Sequence, residues 1–463
     1  MNYYDLANKY REAIIKTTCA LVEIPSVKQE AQGDAPYGPA LKECLHYILD
    51  LGQSSGFVAN NYDNYIGELL FGAGKEIVGV ACHLDVVPAN GKDWSFPPFA
   101  PFVKDGIIFG RGSNDNKGPT AAAFFAMLAL KESGFQPKKQ LKMLFGCDEE
   151  SGMSDIDYYK EKVRHLPTSG FATDCTFPVN YGEHSIYILQ IKIKLPDYIL
   201  FLTAGDHYGI LAEFANASIK DYPANIKELF DFFLTTNAYS GKIEFSDDLA
   251  NIELQGVPAH ASRPYVGHSA ATGLCTFLAA LYNNEDLLDL SKGLDNWLGR
   301  GLGINYKSER YGELYCSFTK IESQQRDSSF YLSLRYPANL IGKDITAKII
   351  KRFSTNKLIQ EIRVLEDRPG YYTDPNGKLV QTLETVYRRQ SGDNDSESKV
   401  SPGGTYARKF EGFVAFGPTT KAHLADKRMG QAHQADEGME IETLIKGCAV
   451  YIEALWQLLS DED

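Results

Sequence analysis

The sequence predicts an α/β protein in which one domain is interrupted by a second, and three stretches of the 463-residue chain lead to this fold class. Strand-like and helix-like segments alternate in the first third, which is typical of a sheet with helices on its faces. In the middle, strands alternate apolar and polar residues, as in SSFYLSLRYPANL, where Tyr331, Ser333 and Arg335 share one face, and we therefore expect a half-exposed sheet in a separate domain. Helix and strand patterns return in the last 90 or so residues. The expected domain bounds are 1–183 and 371–463 for the first domain and 184–370 for the inserted one.

The elements of the first third follow from their local composition. KEIVGVACHLD and QLKMLFG are typical of strands, and GIIFGRG is typical of a short strand closed by glycines. GPTAAAFFAMLALKESG predicts a helix, because proline stands near its start, small apolar residues fill it and Gly134 ends it. SDIDYYKEKV predicts a helix with Ser154 as its N-cap and Asp157 three residues on, as in a capping box. Ligands of such sheets gather outside the carboxyl ends of the strands, so the residues that follow these strands are candidates for a site.

Composition limits the classes of function. The formal net charge is −13 and the pI is about 5.3; nucleic acid and anionic membranes both require basic surface, so neither is expected as the main partner. The eight cysteines form no CxxC pair, which is typical of reduced thiols in the cytosol. The N-terminal residues do not have the pattern of a signal peptide, and no run approaches the roughly 18 apolar residues of a membrane span. We therefore expect a cytoplasmic protein without a membrane span.

Three adjacent acids, Asp148, Glu149 and Glu150, follow the strand QLKMLFG. Adjacent carboxylates repel one another and lose hydration when they are enclosed, and bound cations would offset both effects. On an extended backbone the side chains of Glu149 and Glu150 diverge, so one can ligate a metal while the other faces a water molecule. The alternative is an exposed acidic turn, and Asp148 is expected to be a turn residue or a group that supports the other two.

Other candidates follow other strands. His83 and Asp85 form an H-x-D pair in which the carboxylate can orient a metal-binding imidazole. Asp115, in GRGSNDNKGPT, lies at a tight turn where its two oxygens could bridge two ions; this segment lacks the GxxxxGK[ST] spacing of a phosphate loop. Taken singly, His83 is also explained as a structural hydrogen-bonding residue and Asp115 as an ordinary turn residue. Asp174 in GFATDCTFP and His433 in QAHQADE have no distinctive local pattern.

Taken together, these residues are nitrogen and oxygen ligands without cysteine. Such a set suits zinc, cobalt or manganese. A two-metal site with a bridging carboxylate would account for the acidic triplet, because the cations offset the repulsion among the acids.

Six motifs follow one another in an order found in a known family: HLDVVP, GRGSNDNKGP, DEESG, GFATD, AHASRP and AHQADE. The sequence resembles the dinuclear zinc peptidases, which include bacterial dipeptidase V, carnosinase, carboxypeptidase G and aminoacylase, and it is most similar to the dipeptidase V branch. The resemblance covers nearly the whole chain. It implies a mixed-sheet zinc-exopeptidase catalytic domain interrupted by an inserted α+β lid domain. It also implies two zinc ions, for which cobalt or manganese can substitute, and the hydrolysis of peptide bonds by an activated water molecule.

The resemblance also assigns roles to individual residues. The implied metal ligands are His83, Glu150, Asp174 and His433, with Asp115 bridging the two ions. Glu149 would be the general base, and Asp85 would orient His83. His433 is preferred over His423, whose segment KAHLADK has a similar local pattern, because the family places the ligand before the C-terminal helix. A cis peptide bond is implied between Asp115 and Asn116.

The substrate contacts implied by the resemblance come mainly from the lid. His260 would help to stabilise the tetrahedral intermediate, and Arg335 would bind the substrate carboxylate through two parallel hydrogen bonds. Asn216 and Gly404 are further expected contacts. Asn116 stands where close relatives often have aspartate, and His268 replaces an asparagine common in the family. GFATDCTFP and the segment around Asn216 also depart from the family pattern, which leaves the metal set intact and the substrate preference open.

Three functions remain open at this point. The first is a dipeptidase for small peptides, with Xaa-His or β-alanyl dipeptides such as carnosine among its substrates. The second is an N-acyl amino acid deacylase on the same metal site, and the third is a non-catalytic peptide-binding homologue. The long lid resembles the monomeric dipeptidase V form, so we expect a monomer rather than a lid-mediated homodimer.

Overall fold

The computed structural model describes residues 2–89 and 91–460. The chain forms two compact units. The first contains the chain up to Gly182, Thr373–Lys399 and the chain from Gly404 onward. The second contains Glu183–Tyr372 and Val400–Gly403.

Helices and strands occur throughout the described chain. Up to Glu183 they are α1 (Tyr3–Asn8), α2 (Arg11–Glu23), α3 (Pro39–Ser54), β1 (Val58–Tyr62), β2 (Ile66–Phe71), β3 (Ile77–His83), β4 (Phe102–Lys104), β5 (Ile107–Phe109), α4 (Lys117–Glu132), β6 (Gln140–Gly146), α5 (Ser154–Lys162), β7 (Ser169–Ala172), β8 (Cys175–Thr176) and β9 (Asn180–Glu183). The middle of the chain forms β10 (Ser185–Lys194), β11 (Ile199–Ala204), β12 (Phe214–Ile219), α6 (Ile226–Asn237), β13 (Ser240–Ser246), β14 (Leu249–Gln255), α7 (Ala270–Leu281), α8 (Glu285–Leu294), β15 (Lys307–Ser308), β16 (Gly312–Glu313), β17 (Tyr315–Gln324), β18 (Asp327–Tyr336), α9 (Gly342–Arg352), β19 (Ile359–Arg368) and β20 (Tyr371–Tyr372). The remainder forms α10 (Lys378–Ser391), β21 (Lys399–Ser401), β22 (Phe413–Ala415), β23 (Pro418–Thr419), α11 (Lys421–Ala425), β24 (Gly438–Glu440) and α12 (Ile441–Ser460). Short 3₁₀ helices lie at Pro264–Val266, Arg300–Leu302 and Tyr406–Lys409.

The sheet of the first unit is mixed, and its parallel strands set the position of the polar residues. Its strands pair in the order β1, β2, β6, β3, β7, β22, β9. β3 runs parallel to β6 and to β7, and β22 runs parallel to β7. His83 at the end of β3 pairs with Gly146 at the end of β6, so the residues that follow these strands emerge at one edge. This mixed sheet with its helices confirms the predicted α/β class.

Helices cover the sheet of the first unit and form its core. α4 packs against α2 and α12, and α12 also packs against α1 and α10. α4 is buried from Lys117 to Leu130, which its small and apolar side chains allow. The predicted end of this helix is confirmed, because α4 stops at Glu132 and Gly134 adopts a φ of 78°, which favours glycine.

The second unit is built on an antiparallel sheet. Its strands pair in the order β13, β14, β12, β11, β17, β18, β10, β19. α7 packs against β12, β14 and β17 and against α8. The edge strand β13 is largely exposed, and only Ile243 in it is partly buried.

Two local predictions were wrong. The face of β18 that carries Tyr331, Ser333 and Arg335 is buried, because β18 lies between β17 and β10 inside the sheet and the ring of Tyr208 packs on that of Tyr331. Ser154 is not an N-cap but the first residue of α5. Its N–H and its hydroxyl both donate to Oδ2 of Asp148, at 3.0 and 2.5 Å, so Asp148 takes the capping role.

The described residues include all eight cysteines. All eight cysteines are free thiols; six are buried, and Cys19 and Cys175 are partly exposed. Within residues 2–89 and 91–460, no helix has the length and apolarity that crossing a membrane requires.

Candidate metal centre

The candidate ligands of the first unit gather at the carboxyl edge of its sheet. His83 ends β3, Glu149 and Glu150 follow β6, and Asp174 follows β7. The register aligns these positions, because Ala81 of β3 pairs with Ala172 of β7 and His83 pairs with Gly146. Parallel pairing therefore explains why residues far apart in the chain meet here.

Asp115 lies between the two candidate histidines. Its Oδ1 is 2.9 Å from Nε2 of His83, and its Oδ2 is 3.0 Å from Nε2 of His433. The peptide bond between Asp115 and Asn116 is cis, as the resemblance implies. One carboxylate thus presents one oxygen to each histidine, which is the arrangement that a bridging ligand requires.

The other carboxylates complete a group on each side of Asp115. Oδ2 of Asp174 is 3.8 Å from Nε2 of His83. Oε1 of Glu150 is 3.0 Å from Nε2 of His433. A tetrahedral ion with bonds of about 2.0–2.1 Å separates its ligand atoms by roughly 3.3 Å, so both groups have the spacing that such an ion needs.

Ligand atoms of His83, Asp115 and Glu150 all lie within 4.8 Å of one another, and so do those of His83, Glu149 and Asp174. Glu149 therefore falls inside the range of a ligand, although the resemblance makes it the base. The donor chemistry, with imidazole and carboxylate but no thiolate, fits a pair of divalent cations.

Glu149 is distinguished by its surroundings. It is 7% exposed, and its Oε1 has no hydrogen-bond partner among the described residues. Burial raises the pKa of Glu149 well above its ordinary value, the carboxylates of Asp174, Glu150 and Asp85 raise it further, and His83 opposes them. A buried carboxyl group with an unpaired oxygen is available for proton transfer.

Charge within the cluster is strongly unbalanced without cations. Burial lowers the pKa of His433, but hydrogen bonds to Asp115 and Glu150 outweigh it and raise the value to about 12. Burial also lowers the pKa of His83, but its interactions with Asp115 and Asp85 outweigh burial and raise that pKa well above its ordinary value. Burial raises the pKa of Asp174 well above its usual range, with the charge of Asp115 adding to it. The carboxylates thus attract positive charge, and divalent cations would supply it.

Asp85 acts mainly on the acidic segment. Its Oδ1 accepts the backbone N–H of Glu149 at 3.1 Å, and its Oδ2 accepts that of Glu150 at 2.9 Å. His83 instead donates from Nδ1 to the backbone oxygen of Asp85 at 2.9 Å, with the carboxylate at 3.4 Å. The backbone oxygen of Asp85 thus orients the His83 ring and leaves Nε2 facing the cluster. The sequence had suggested that the side-chain carboxylate of Asp85 would do this.

The acidic triplet is not an exposed turn. Asp148 is 1% exposed, and its Oδ1 pairs with the ammonium group of Lys28. The side chains of Glu149 and Glu150 are also largely buried. The three acids therefore differ in their roles, since Asp148 caps α5 and the other two face the candidate ligands.

Asn116 is a contact that the sequence did not reveal. Its Nδ2 donates to the backbone oxygen of Thr173 at 2.7 Å, next to Asp174. Its Oδ1 accepts from the hydroxyls of Thr173 and Thr120, at 3.2 and 3.3 Å. An aspartate could not donate to Thr173, so the departure from the family pattern at this position was the available signal.

The remaining predicted residues lie elsewhere. His260, Asn216 and Arg335 belong to the second unit, and Gly404 lies in a loop of the first unit, after β21. His260 is exposed, and Ser262 N–H donates to its Nδ1 at 3.2 Å; Arg335 is 5% exposed and donates from Nη1 to Ser333 Oγ at 2.9 Å.

His423 takes no part in the cluster. It is 2% exposed in α11, and neither ring nitrogen has a hydrogen-bond partner among the described residues. Burial lowers the pKa of His423, so its ring is neutral at pH 7.

The sequence and the fold are similar to those of known peptidases. The family described as peptidase family M20/M25/M40 matches residues 79–457. The Beta-Ala-Xaa dipeptidase of Lactobacillus delbrueckii subsp. lactis is 32% identical over 483 residues, which cover 100% of this chain and 99% of that protein.

Two solved structures have the same fold. Human carnosine dipeptidase 1 aligns with a TM-score of 0.60 at 14% identity, over 99% of both chains. A Bacillus subtilis protein described as a dinuclear metal binding peptidase aligns with a TM-score of 0.55 at 11% identity, over 98% of this chain and 99% of that chain. Since the family match spans most of the sequence and the 32% identical relative spans all of it, the chain belongs to peptidase family M20/M25/M40.

Proposed function

We propose that the protein is a metal-dependent dipeptidase that hydrolyses the peptide bond of small peptides, β-alanyl dipeptides among them. The observation that supports it most directly is Glu149, a buried carboxyl group whose Oε1 has no partner among the described residues, beside two histidine–carboxylate groups. A base poised next to cation ligands is what hydrolysis of an amide bond needs. The 32% identity to a Beta-Ala-Xaa dipeptidase supports the substrate class.

Two zinc ions are the proposed cofactors, with cobalt or manganese as substitutes. His83 and Asp174 would hold one ion, Glu150 and His433 the other, and Asp115 would bind both. When bound, such ions polarise the scissile carbonyl and lower the pKa of water from 15.7 to about 7. Nitrogen and oxygen ligands without cysteine support this choice of metals.

Glu149 moves the proton. Its Oε1 accepts a proton from the attacking water and delivers it to the nitrogen of the leaving amine. Because its pKa is raised by burial, the ionised carboxylate is a stronger base than an exposed one. Asp85 fixes the backbone of Glu149 and of Glu150, which keeps the base at a constant distance from a ligand.

The proposed substrate contacts rest on the resemblance to the family. Arg335 would bind the C-terminal carboxylate, and His260 would stabilise the developing oxyanion. Asn216 and Gly404 would make further contacts. A carboxylate grip limits peptide length at the C-terminal end, which favours a dipeptidase. The monomeric state and the cytoplasmic location stay predictions.

A substrate panel tests the proposal. The zinc-loaded protein is incubated with Leu-Gly, β-Ala-His, a tripeptide and N-acetyl-Met, and the released amines are quantified by chromatography. We expect cleavage of the dipeptides only. The Glu149→Gln variant keeps the size of the side chain but cannot accept the proton, so its kcat should fall by about 10²–10⁴-fold while its zinc content is unchanged.

Other outcomes separate the alternatives. Cleavage of N-acetyl-Met in place of the dipeptides would replace the dipeptidase with a deacylase on the same metal site. Binding of dipeptides without turnover, equal in the wild type and in the Glu149→Gln variant, would replace it with a peptide-binding protein. A wild-type protein that retains no metal would overturn the proposal.

A further inference from the structure

We infer that the buried carboxylate of Glu437 is a positioning residue that holds the turn carrying Asp115 against the segment carrying His433, and so sets the spacing of the metal ligands. The inference rests on the proposed metal site. It concerns a residue whose two carboxylate oxygens both accept hydrogen bonds from residues 111–115, and its test is metal affinity rather than turnover.

The contacts of Glu437 converge on one turn. Its Oε1 accepts three backbone N–H groups, from Gly112 at 3.1 Å, Asn114 at 3.0 Å and Asp115 itself at 3.1 Å. Its Oε2 accepts from Nη1 of Arg111. Glu437 is 0% exposed. Since both oxygens are already used, Glu437 is not available as a ligand, and its effect on the metals acts through the backbone of Asp115.

The main chain joins the same two segments. β24 pairs with β5, and the N–H of Gly110 donates to the backbone oxygen of Glu437 at 2.9 Å. Backbone hydrogen bonds join the two ends of the segment 430–438. The N–H of Gly430 donates to the backbone oxygen of Asp436 at 2.8 Å, and the N–H of Gly438 donates to the backbone oxygen of Gly430 at 3.1 Å. His433 lies within this closed segment, so a shift of Glu437 would move a ligand on each side of the cluster.

Both segments have a conformation that needs outside support. His433 has a φ of 68° and Asp436 a φ of 55°, in the left-handed region that non-glycine residues adopt only where their surroundings fix it. Gly112 has a φ of 91°, and a Cβ there would lie 2.8 Å from Val86, so the turn tolerates little change. Asp436 is held in addition by Ser95, whose N–H and hydroxyl donate to its carboxylate at 2.7 Å each.

Two double variants distinguish the effect of the negative charge of Glu437 from the effect of the hydrogen bonds that it accepts from the backbone. Arg111→Met combined with Glu437→Gln removes the ion pair but keeps a side-chain oxygen that can accept the three N–H groups. Arg111→Met combined with Glu437→Leu removes both the ion pair and the acceptor oxygen, and leucine has a side-chain volume similar to that of glutamine. The two proteins therefore differ mainly in the hydrogen bonds to the turn.

Cobalt binding to the metal-free proteins is measured by calorimetric titration and by visible absorption. We expect the wild type to bind two equivalents of Co²⁺, and the double variant with Glu437→Gln to bind them with affinities within a few-fold of the wild type. In the double variant with Glu437→Leu we expect the affinity for Co²⁺ to fall by about 10–100-fold, the usual cost of removing a group that supports a ligand. Equal Co²⁺ affinity in the two double variants would overturn the inference, because the hydrogen bonds of Glu437 would then have no effect on the metal ligands.

A milder variant covers the case in which the double variant with Glu437→Leu does not fold. Glu437→Asp keeps the charge and Arg111 but withdraws the carboxylate by one methylene, and we expect its cobalt affinity to fall at least about tenfold. Unchanged affinity in this variant would overturn the inference.

Glu68→Leu is the matched control. Glu68 is also a buried glutamate, and it accepts from Asn60, Tyr62 and Tyr159, none of which is a candidate ligand. This change should lower the melting temperature and leave cobalt affinity unchanged. A wild type that binds no Co²⁺ would overturn the metal site itself, which distinguishes that failure from a failure of the role of Glu437.

Discussion

The hydroxyl of Tyr406 donates a hydrogen bond to the buried carboxylate of Asp155. The same Oδ2 of Asp155 accepts the backbone N–H of Cys147 at 2.6 Å and that of Asp148 at 3.1 Å. These are the two residues between the end of β6 and Glu149. The pair therefore supports the backbone just before the proposed base.

Changing Tyr406 to phenylalanine should lower kcat with little effect on KM. The variant loses the hydroxyl that holds Asp155, and a loss of about 1.4 kcal/mol in the positioning of Glu149 corresponds to a tenfold lower rate. Steady-state kinetics with a dipeptide measure this. Tyr451→Phe is the control, since its buried hydroxyl donates to the backbone of Phe416 and not to the acidic segment. A kcat equal to that of the wild type would contradict the prediction.

The stability of the metal-free protein should depend on pH through Asp155. Burial raises the pKa of Asp155 to about 7, with the charges of Asp85 and Asp148 adding to it and the Tyr406 hydrogen bond opposing it. Because this value is above the unfolded pKa of about 3.9, the contribution of Asp155 is fully present below that pKa and is lost as pH rises through 7. Asp155→Asn does not titrate. Between about pH 5.5 and pH 8 the wild type should lose about 2 kcal/mol of unfolding free energy relative to the variant.

Denaturant melts of both proteins, recorded after chelation, give this difference at each pH. Curves for the wild type and Asp155→Asn that stay parallel across the window would show that Asp155 has an ordinary pKa.

Replacing His433 with alanine should remove one metal ion. Its Nε2 is the only imidazole nitrogen that the described residues place at 3.0 Å from both Asp115 and Glu150, so the ion on that side would lose its nitrogen ligand. Elemental analysis of the purified variant should give one zinc per chain in place of two. His423→Asn is the control, because that ring is buried in α11 away from the cluster. Two zincs in the His433 variant, or a loss in the control, would refute the assignment.

Arg335→Met should affect only substrates with a free C-terminal carboxylate. Losing a charge-assisted pair should raise KM for Leu-Gly by about 10–100-fold. KM for the corresponding dipeptide amide should not change, because it has no carboxylate to bind. Arg363→Met serves as the control, because Arg363 lies on β19, two strands from β18, and donates to Gln190. An equal rise for both substrates would point to a structural role for Arg335.

The positions of several candidate site residues could be predicted, because these residues directly follow the ends of strands. The apolar strands β3 and β6 are evident from the sequence, and parallel pairing then brings His83 and the acids of 148–150 to one edge. The fold class followed from the same alternation of elements.

The supporting contacts could not be predicted, since they join residues far apart in the chain. Arg111 and Glu437 are 326 positions apart, and Tyr406 and Asp155 are 251 apart. No local pattern distinguishes a buried glutamate that holds a turn from an exposed one. The capping of α5 was mispredicted for a related reason: serine is a residue type common at N-caps, but the carboxylate of Asp148, which pairs with Lys28, accepts the N–H of Ser154, the first residue of the helix.

The low reactivity expected of the natural thiols makes site-specific labelling of the protein practical. None of the eight cysteines, all of which lie in the described part of the chain, is fully exposed, and burial raises the pKa of both partly exposed ones, Cys19 and Cys175. A thiol that stays protonated reacts slowly with maleimides at neutral pH. A cysteine introduced at an exposed position, such as Phe232 of α6, should therefore accept a fluorescent label selectively in the otherwise natural sequence.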